Sequence, residues 1–322
     1  MPIRSAIKQK RVYIPILCIF IVVVLPYLIP LRNYVKNTSE DSLDQYGAYI
    51  YLDNQRIYYE TAGPINGPAI VFMHGFGGWS GNWRPMVQKF GAAGSRVVAF
   101  DRPGFGLSDQ TRSTQMSNIE QVNASVKVFD ALGIDRTVII AHSLGAQVGL
   151  QLAAEHPERV SGLLIVDGSI RERCDWIDSF GVLLKIPFLR RWAEVGLSAY
   201  LTPGRFDKVL QTAISSSEQL SVEAMSRYNV AVRTPDWQVG VVSLLRDRRL
   251  NVLSDPITKL TMPVGCVWGV DDSWASIQIG QKLCDQLSAE FIPIEKSGHL
   301  PMEEQPELFY QSTLNFINKI IQ

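Results

Sequence analysis

The sequence predicts an α/β protein built on a doubly wound, mostly parallel eight-stranded sheet, interrupted once by a helical insertion and preceded by a transmembrane helix. Three observations predict it. Short apolar runs rich in β-branched residues alternate with stretches of helical periodicity through residues 69–170 and 255–322, and such alternation demands right-handed crossovers and a parallel sheet. The alternation stops between Ile170 and about Leu253, where only helical spacing remains. From Val12 to Leu31 runs a stretch of 20 residues without charge, enough at about 1.5 Å per residue to cross a hydrocarbon layer of about 30 Å.

Taken in order, residues 1–36 form a basic tail and this apolar anchor. Arg4, Lys8, Lys10 and Arg11 precede the span and only Arg32 and Lys36 closely follow it. That bias places the N-terminus in the cytoplasm and the large domain on the far side. A cleaved secretory signal is the alternative; its apolar core would run about 7 to 15 residues and end at small residues, whereas Arg32, Asn33 and Tyr34 are bulky. The expected protein is therefore single-pass, with the lipid bilayer a partner through residues 12–31 and the folded domain extracytoplasmic. Residues 32–45 read as a polar tether.

Tyr49 to Leu52 and Arg56 to Thr61, parted by Asp53-Asn54-Gln55, alternate as a hairpin. Buried strands follow at Ala69 to Met73, Arg96 to Phe100, Thr137 to Ala141, Gly162 to Val166, Val264 to Trp268 and Phe291 to Ile294. Helical patterns fall at Asn118 to Leu132, Gly145 to Glu155, Ile277 to Leu287 and Pro306 to Ile321. Residues 45–170 and 255–322 make the core, and residues 171–254 the helical insertion.

With 322 residues, 46% of them hydrophobic, the chain buries a sizeable core, and its formal net charge is zero. No basic run and no interleaving of aromatic and basic residues points to nucleic acid as a partner. Cys18, Cys174, Cys266 and Cys284 lack metal-ligand spacing. Cys266, in an apolar strand, and Cys284, in a helix, read as buried thiols.

The chemistry is written in Ala141-His142-Ser143-Leu144-Gly145, directly after the run Thr137 to Ile140. A buried strand that turns sharply into a helix exposes the serine at its tip, and the positions two before and two after it must be small because the bend brings them together. A hydroxyl becomes a nucleophile only beside an imidazole, itself held by a carboxylate. Of four histidines, His299 lies in Ser297-Gly298-His299-Leu300-Pro301, a glycine-containing loop after a strand. Exposed catalytic groups belong on such loops. For the acid, the strand ending at Trp268 runs into Gly269-Val270-Asp271-Asp272, so Asp271 and Asp272 both qualify. The order is serine, aspartate, histidine.

That order, with Phe72-Met73-His74-Gly75-Phe76-Gly77-Gly78, Asp101-Arg102-Pro103-Gly104-Phe105-Gly106-Leu107-Ser108-Asp109 and Gly298-His299-Leu300-Pro301-Met302-Glu303-Glu304, resembles the α/β-hydrolases of the serine-nucleophile type. The resemblance covers about residues 45–170 and 255–322. It implies Ser143 as nucleophile, His299 as general base, and Asp272 as the orienting acid, since the family acid commonly stands three residues after the glycine. It implies the backbone N–H groups of Phe76 and Leu144 as oxyanion donors, residues 101–109 as a buttress under the site, and the helical insertion as a cap. No metal or organic cofactor is implied. The expected activity is hydrolysis of a carboxylic ester, lipid or other apolar acyl compound. Carbon–carbon bond hydrolases, peptidases, acyltransferases and haloperoxidase-like enzymes share the triad. Epoxide hydrolases and haloalkane dehalogenases, with aspartate at the elbow, do not. A catalytically silent binding protein on the same scaffold is the alternative of a different class.

Overall fold

A computed structural model describes residues 17–32, 46–168, 175–215, 220–248 and 260–321. Its frame is an eight-stranded sheet of β1 (Gly47–Leu52), β2 (Gln55–Ala62), β3 (Ala69–Met73), β4 (Arg96–Phe100), β5 (Thr137–His142), β6 (Val160–Val166), β7 (Val264–Gly269) and β8 (Glu290–Ile294). The strand order is β1-β2-β4-β3-β5-β6-β7-β8. The β1–β2 and β2–β4 pairs are antiparallel and every other pair is parallel. Each strand expected from its apolar run is present. The chain steps outward from β3 to β4 and returns past β3 to β5, so the C-terminal ends of β3 and β5 flank the point where strand order reverses, where open α/β sheets place their ligands.

Alternation sorts the core. Ile70 and Phe72 pack on one face of the sheet with Trp83 and Phe90, while Val71 and Met73 pack on the other with Phe129 and Val148. All six residues of β5 are buried, as expected of a central parallel strand covered on both faces. Fully burying one such side chain stabilises the fold by about 1.5–3 kcal/mol. The covering helices are α1 (Arg84–Ala92), α2 (Asn118–Leu132), α3 (Leu144–Glu155), and, after β7, α9 (Ile277–Leu287), α10 (Pro301–Glu304) and α11 (Pro306–Ile321). Ser117 caps α2 by accepting the N–H of Glu120, and Gly133 ends it in the left-handed conformation.

Between β6 and β7 lie α4 (Asp175–Leu183), α5 (Pro187–Tyr200), α6 (Pro203–Gln211), α7 (Val222–Val230) and α8 (Trp237–Asp247). No strand interrupts them among the described residues.

One expectation needs correction. Cys266 of β7 and Cys284 of α9 are not free thiols but a disulfide, their Cα atoms 6.4 Å apart. A strand and the helix packed on it bring residues 18 apart in sequence into bonding range, a juxtaposition that no local pattern reveals. The N-terminal span is described only in part. Residues 12–16 lie outside the described residues; of the rest, a π-helical turn Phe20–Val24 runs into an α-helical turn Leu25–Leu28. Among the described residues no helix is long and apolar enough to cross a membrane. The helix stops because Pro30 forces Ile29 out of helical geometry, to φ −85° and ψ 117°.

Side chains of the insertion clasp this segment. Arg191 donates from Nε to the carbonyl of Pro26 at 3.0 Å and from Nη2 to that of Ile29 at 2.6 Å. Trp192 Nε1 donates to the carbonyl of Val22 at 2.9 Å and Gln238 Nε2 to that of Arg32 at 3.0 Å. The Arg32 N–H donates to Ser198 Oγ at 2.7 Å. The Pro26 carbonyl, in the last helical turn, thereby gains a partner, while Leu17, Ile19, Phe20, Tyr27 and Leu28 stay exposed.

Candidate active site

The strand β5 ends at His142, and Ser143 takes φ 51° and ψ −120°, a conformation that only a tightly determined turn imposes on a non-glycine residue. The neighbours show why. A Cβ on Gly145 would lie 2.6 Å from the carbonyl oxygen of His74, and the space at Gly149 brings α3 directly onto the Ala141 methyl group. Both small positions of the elbow are therefore demanded by close packing of α3 against the ends of β3 and β5.

His299 stands between the serine and an aspartate. Its Nε2 is 2.9 Å from Ser143 Oγ and its Nδ1 is 2.8 Å from Asp272 Oδ2. With Nδ1–H donated to the carboxylate, Nε2 is left to accept the serine proton. Asp272 is held in turn: its Oδ1 accepts the N–H groups of Trp274 at 2.7 Å and Ala275 at 2.9 Å. Asp271, the other acid of the turn, is exposed and carries no such bond to His299.

The histidine loop is pinned from several sides. The His299 N–H donates to the carbonyl of Ala213 in the insertion at 2.6 Å, and its carbonyl accepts from His142 Nε2 at 2.8 Å. Burial foremost, and then His299, lowers the His142 pKa to about 3, so its ring is neutral and Nε2 carries its single N–H. Glu304, which the sequence motif contained without a role, accepts three backbone donors in four hydrogen bonds: the N–H of Gly298 to both oxygens at 2.9 Å, of Leu300 at 3.1 Å and of Ser215 at 2.8 Å. The same stretch of the insertion reaches the acid turn, where Ser273 Oγ donates to the Thr212 carbonyl at 2.7 Å and Trp274 Nε1 to Thr212 Oγ1 at 3.0 Å.

The glycine-rich loop after β3 lies against the nucleophile. A Cβ on Gly75 would come within 2.9 Å of Ser143 Cβ, so only glycine lets this backbone approach, and Phe76 follows it. Leu144 is the first residue of α3, and its N–H is among those that a helix start leaves unpaired. Both sequence-expected oxyanion donors thus belong to backbone beside Ser143. His74 shapes the loop: its Nδ1 bonds the Gly75 carbonyl at 2.9 Å while its Nε2 accepts the Arg102 N–H at 3.2 Å. Burial first, and then Arg102, holds its pKa well below the ordinary histidine value. Beneath it, Asp101 accepts the N–H groups of Ser80 and Leu107, and burial pushes its carboxyl up to about 7.

A cleft opens beside His299 and the glycine-rich loop, lined by Phe76, Trp83, Phe206, Leu210, Trp274 and others, with no Lys or Arg among the described residues that line it. Trp79, the other tryptophan beyond the loop, is wholly buried and donates to the Arg227 carbonyl.

Residues 68–306 match the model of the alpha/beta hydrolase fold family. The chain is 34% identical over 278 residues to a protein of Variovorax paradoxus (strain S110) named provisionally as a carbamate hydrolase, across 82% of this chain and 97% of that one. It is 29% identical to a 2-hydroxy-6-oxononadienedioate/2-hydroxy-6-oxononatrienedioate hydrolase of a Pseudomonas species, across 82% of this chain and 92% of that one. Among solved structures, a membrane phospholipase A described as a bacterial virulence factor superposes with a TM-score of 0.68 at 20% identity, covering 99% of both chains. The serine-tipped elbow, the sheet order and the match over most of its length make this chain a member of the α/β-hydrolase fold family and a hydrolase.

Proposed function

We propose that the protein is a membrane-anchored serine hydrolase that cleaves carboxylic esters of apolar acyl groups. The observation that carries this reading is the line Ser143, His299, Asp272, joined at 2.9 and 2.8 Å, with His299 lining an apolar cleft. In this mechanism Ser143 Oγ attacks the acyl carbon as His299 Nε2 takes its proton, and Asp272 steadies the imidazolium. The backbone N–H groups of Phe76 and Leu144 receive the oxyanion, each worth about 3 kcal/mol of barrier. His299 then protonates the departing alcohol, and water activated by the same nitrogen releases the acid.

A second reading, hydrolysis of a carbon–carbon bond, is the one that the relatives favour. The substrate in the Pseudomonas protein's name carries hydroxyl, oxo and carboxylate groups and no ester, so its hydrolysis breaks a carbon–carbon bond. A dicarboxylate calls for cationic partners; the uncharged lining of this cleft suits a neutral acyl chain instead.

The anchor reading rests on the apolar run Val12 to Leu31 and on the exposed apolar side chains of residues 17–28. The Cys266–Cys284 disulfide supports an oxidising, extracytoplasmic setting for the domain.

A fluorophosphonate probe tests the nucleophile: labelling of the full chain that disappears in Ser143→Ala supports the hydrolase, and absent labelling favours a silent scaffold. Turnover of neutral acyl esters but not of vinylogous oxo-acids supports the ester reading, and the reverse pattern replaces it with the carbon–carbon one. Release of the full chain from membranes by alkaline carbonate would remove the anchor.

A further inference from the structure

We propose that Asp167 is a positioning residue for the catalytic acid: it keeps a proton on Oδ2 and donates it to the carboxylate of Asp272. The proposal rests on the reading of Ser143, His299 and Asp272 given above. Asp167 ends the apolar run of β6 and is wholly buried. Its φ of 44° is a left-handed conformation uncommon outside glycine, so packing holds the side chain where it is at some cost in strain. The Asp167 N–H donates to the Val267 carbonyl at 3.0 Å, and Oδ1 accepts the Gly269 N–H at 2.8 Å, which ties the residue to the C-terminal end of β7. Among the described residues, no group donates to Oδ2.

One carboxylate oxygen of Asp167, one of Asp272 and a ring nitrogen of His299 lie within 4.8 Å of one another, all three residues buried. Two carboxylates so close in a dry site cannot both stay ionised. The hydrogen-bond donors decide which one gives up its charge. Among the described residues, Asp272 accepts from Trp274 N–H, Ala275 N–H and His299 Nδ1, whereas Asp167 accepts from Gly269 alone. Glu304, also acidic, acts on Asp167 in the same direction as Asp272. Burial, and next the charge of Asp272, hold the Asp167 carboxyl well above the ordinary aspartate range. With Oδ1 engaged by Gly269, the proton belongs on Oδ2, where Asp272 is its acceptor. The effect on chemistry is indirect: a donor on the far side of Asp272 limits its basicity and fixes the plane that His299 Nδ1 reads.

The test compares full-length wild type with Asp167→Asn and Asp167→Ala. Asparagine preserves an acceptor for Gly269 and a donor for Asp272. The infrared difference spectrum between wild type and Asp167→Asn at neutral pH is expected to contain the carbonyl stretch of a protonated carboxyl group. Asp167→Asn should keep kcat within a few-fold and leave the acid limb of the kcat/KM profile in place. Asp167→Ala, with no donor, should lower kcat by about tenfold or more at unchanged KM and move the acid limb to higher pH. A spectrum without that band, or an asparagine variant as slow as the alanine variant, overturns the proposal. The band is read without turnover, so it separates this failure from that of the hydrolase reading, which would show as absent labelling of Ser143.

Discussion

Replacing His142 by glutamine should remove an acid-sensitive weakness from the fold while keeping the bond to the His299 carbonyl. His142 is buried beside the histidine loop, and its pKa drops from 6.5 to about 3 through burial first and the neighbouring His299 second. A folded-state pKa below the unfolded one means that the unfolded chain binds the proton more readily. Stability is thus unaffected by this group above the unfolded value and falls as pH drops below it. At pH 5 the folded ring is still neutral, so the loss depends on the unfolded value alone, about 1.5 pH units at about 1.4 kcal/mol each, or about 2 kcal/mol. His74, held low in the same way, and Asp101, whose raised pKa acts in the opposite direction, are present in both chains and cancel in the comparison. Denaturant unfolding of wild type and His142→Gln at about pH 7.5 and about pH 5 measures the difference. The wild type should lose about 2 kcal/mol more than the variant between the two conditions. Parallel losses would refute the assignment of a neutral, buried imidazole.

Glu304→Gln leaves one carbonyl oxygen to face the N–H groups of Gly298, Leu300 and Ser215; stability should fall by about 2 kcal/mol and kcat by about tenfold, read by unfolding and ester turnover. Opening the Cys266–Cys284 bond, whose partners are 18 residues apart, as Cys266→Ala with Cys284→Ala should lower unfolding free energy by about 3 kcal/mol with the active-site titre unchanged. A loss below about 1 kcal/mol would show that the bond closes a loop already closed by packing.

The sheet was legible because each strand is a short β-branched run bounded by turn residues, and α2, α9 and α11 because their apolar positions repeat at helical spacing. The elbow was legible for a different reason: steric demand at Ala141 and Gly145 leaves a mark in residue size. The helix α1 gave no such mark, since Pro85 and Gly91 interrupt its pattern; it forms because Met86, Val87 and Phe90 pack on the sheet. Asp167, Glu304 and the disulfide were invisible because their meaning lies in partners from other strands and loops. Asp272 and Asp271 are alike in sequence, and the direction of the turn alone sends one to His299 and the other to solvent.

Residues 212–215 of the insertion hold both arms of the proton relay: Thr212 the acid turn, Ala213 and Ser215 the histidine loop. A lid hinged at this edge could not lift without letting go of the imidazole's own peptide. Entry of bulky molecules must therefore come from elsewhere along the roof, and whatever loosens this seam switches off proton transfer before it widens the doorway.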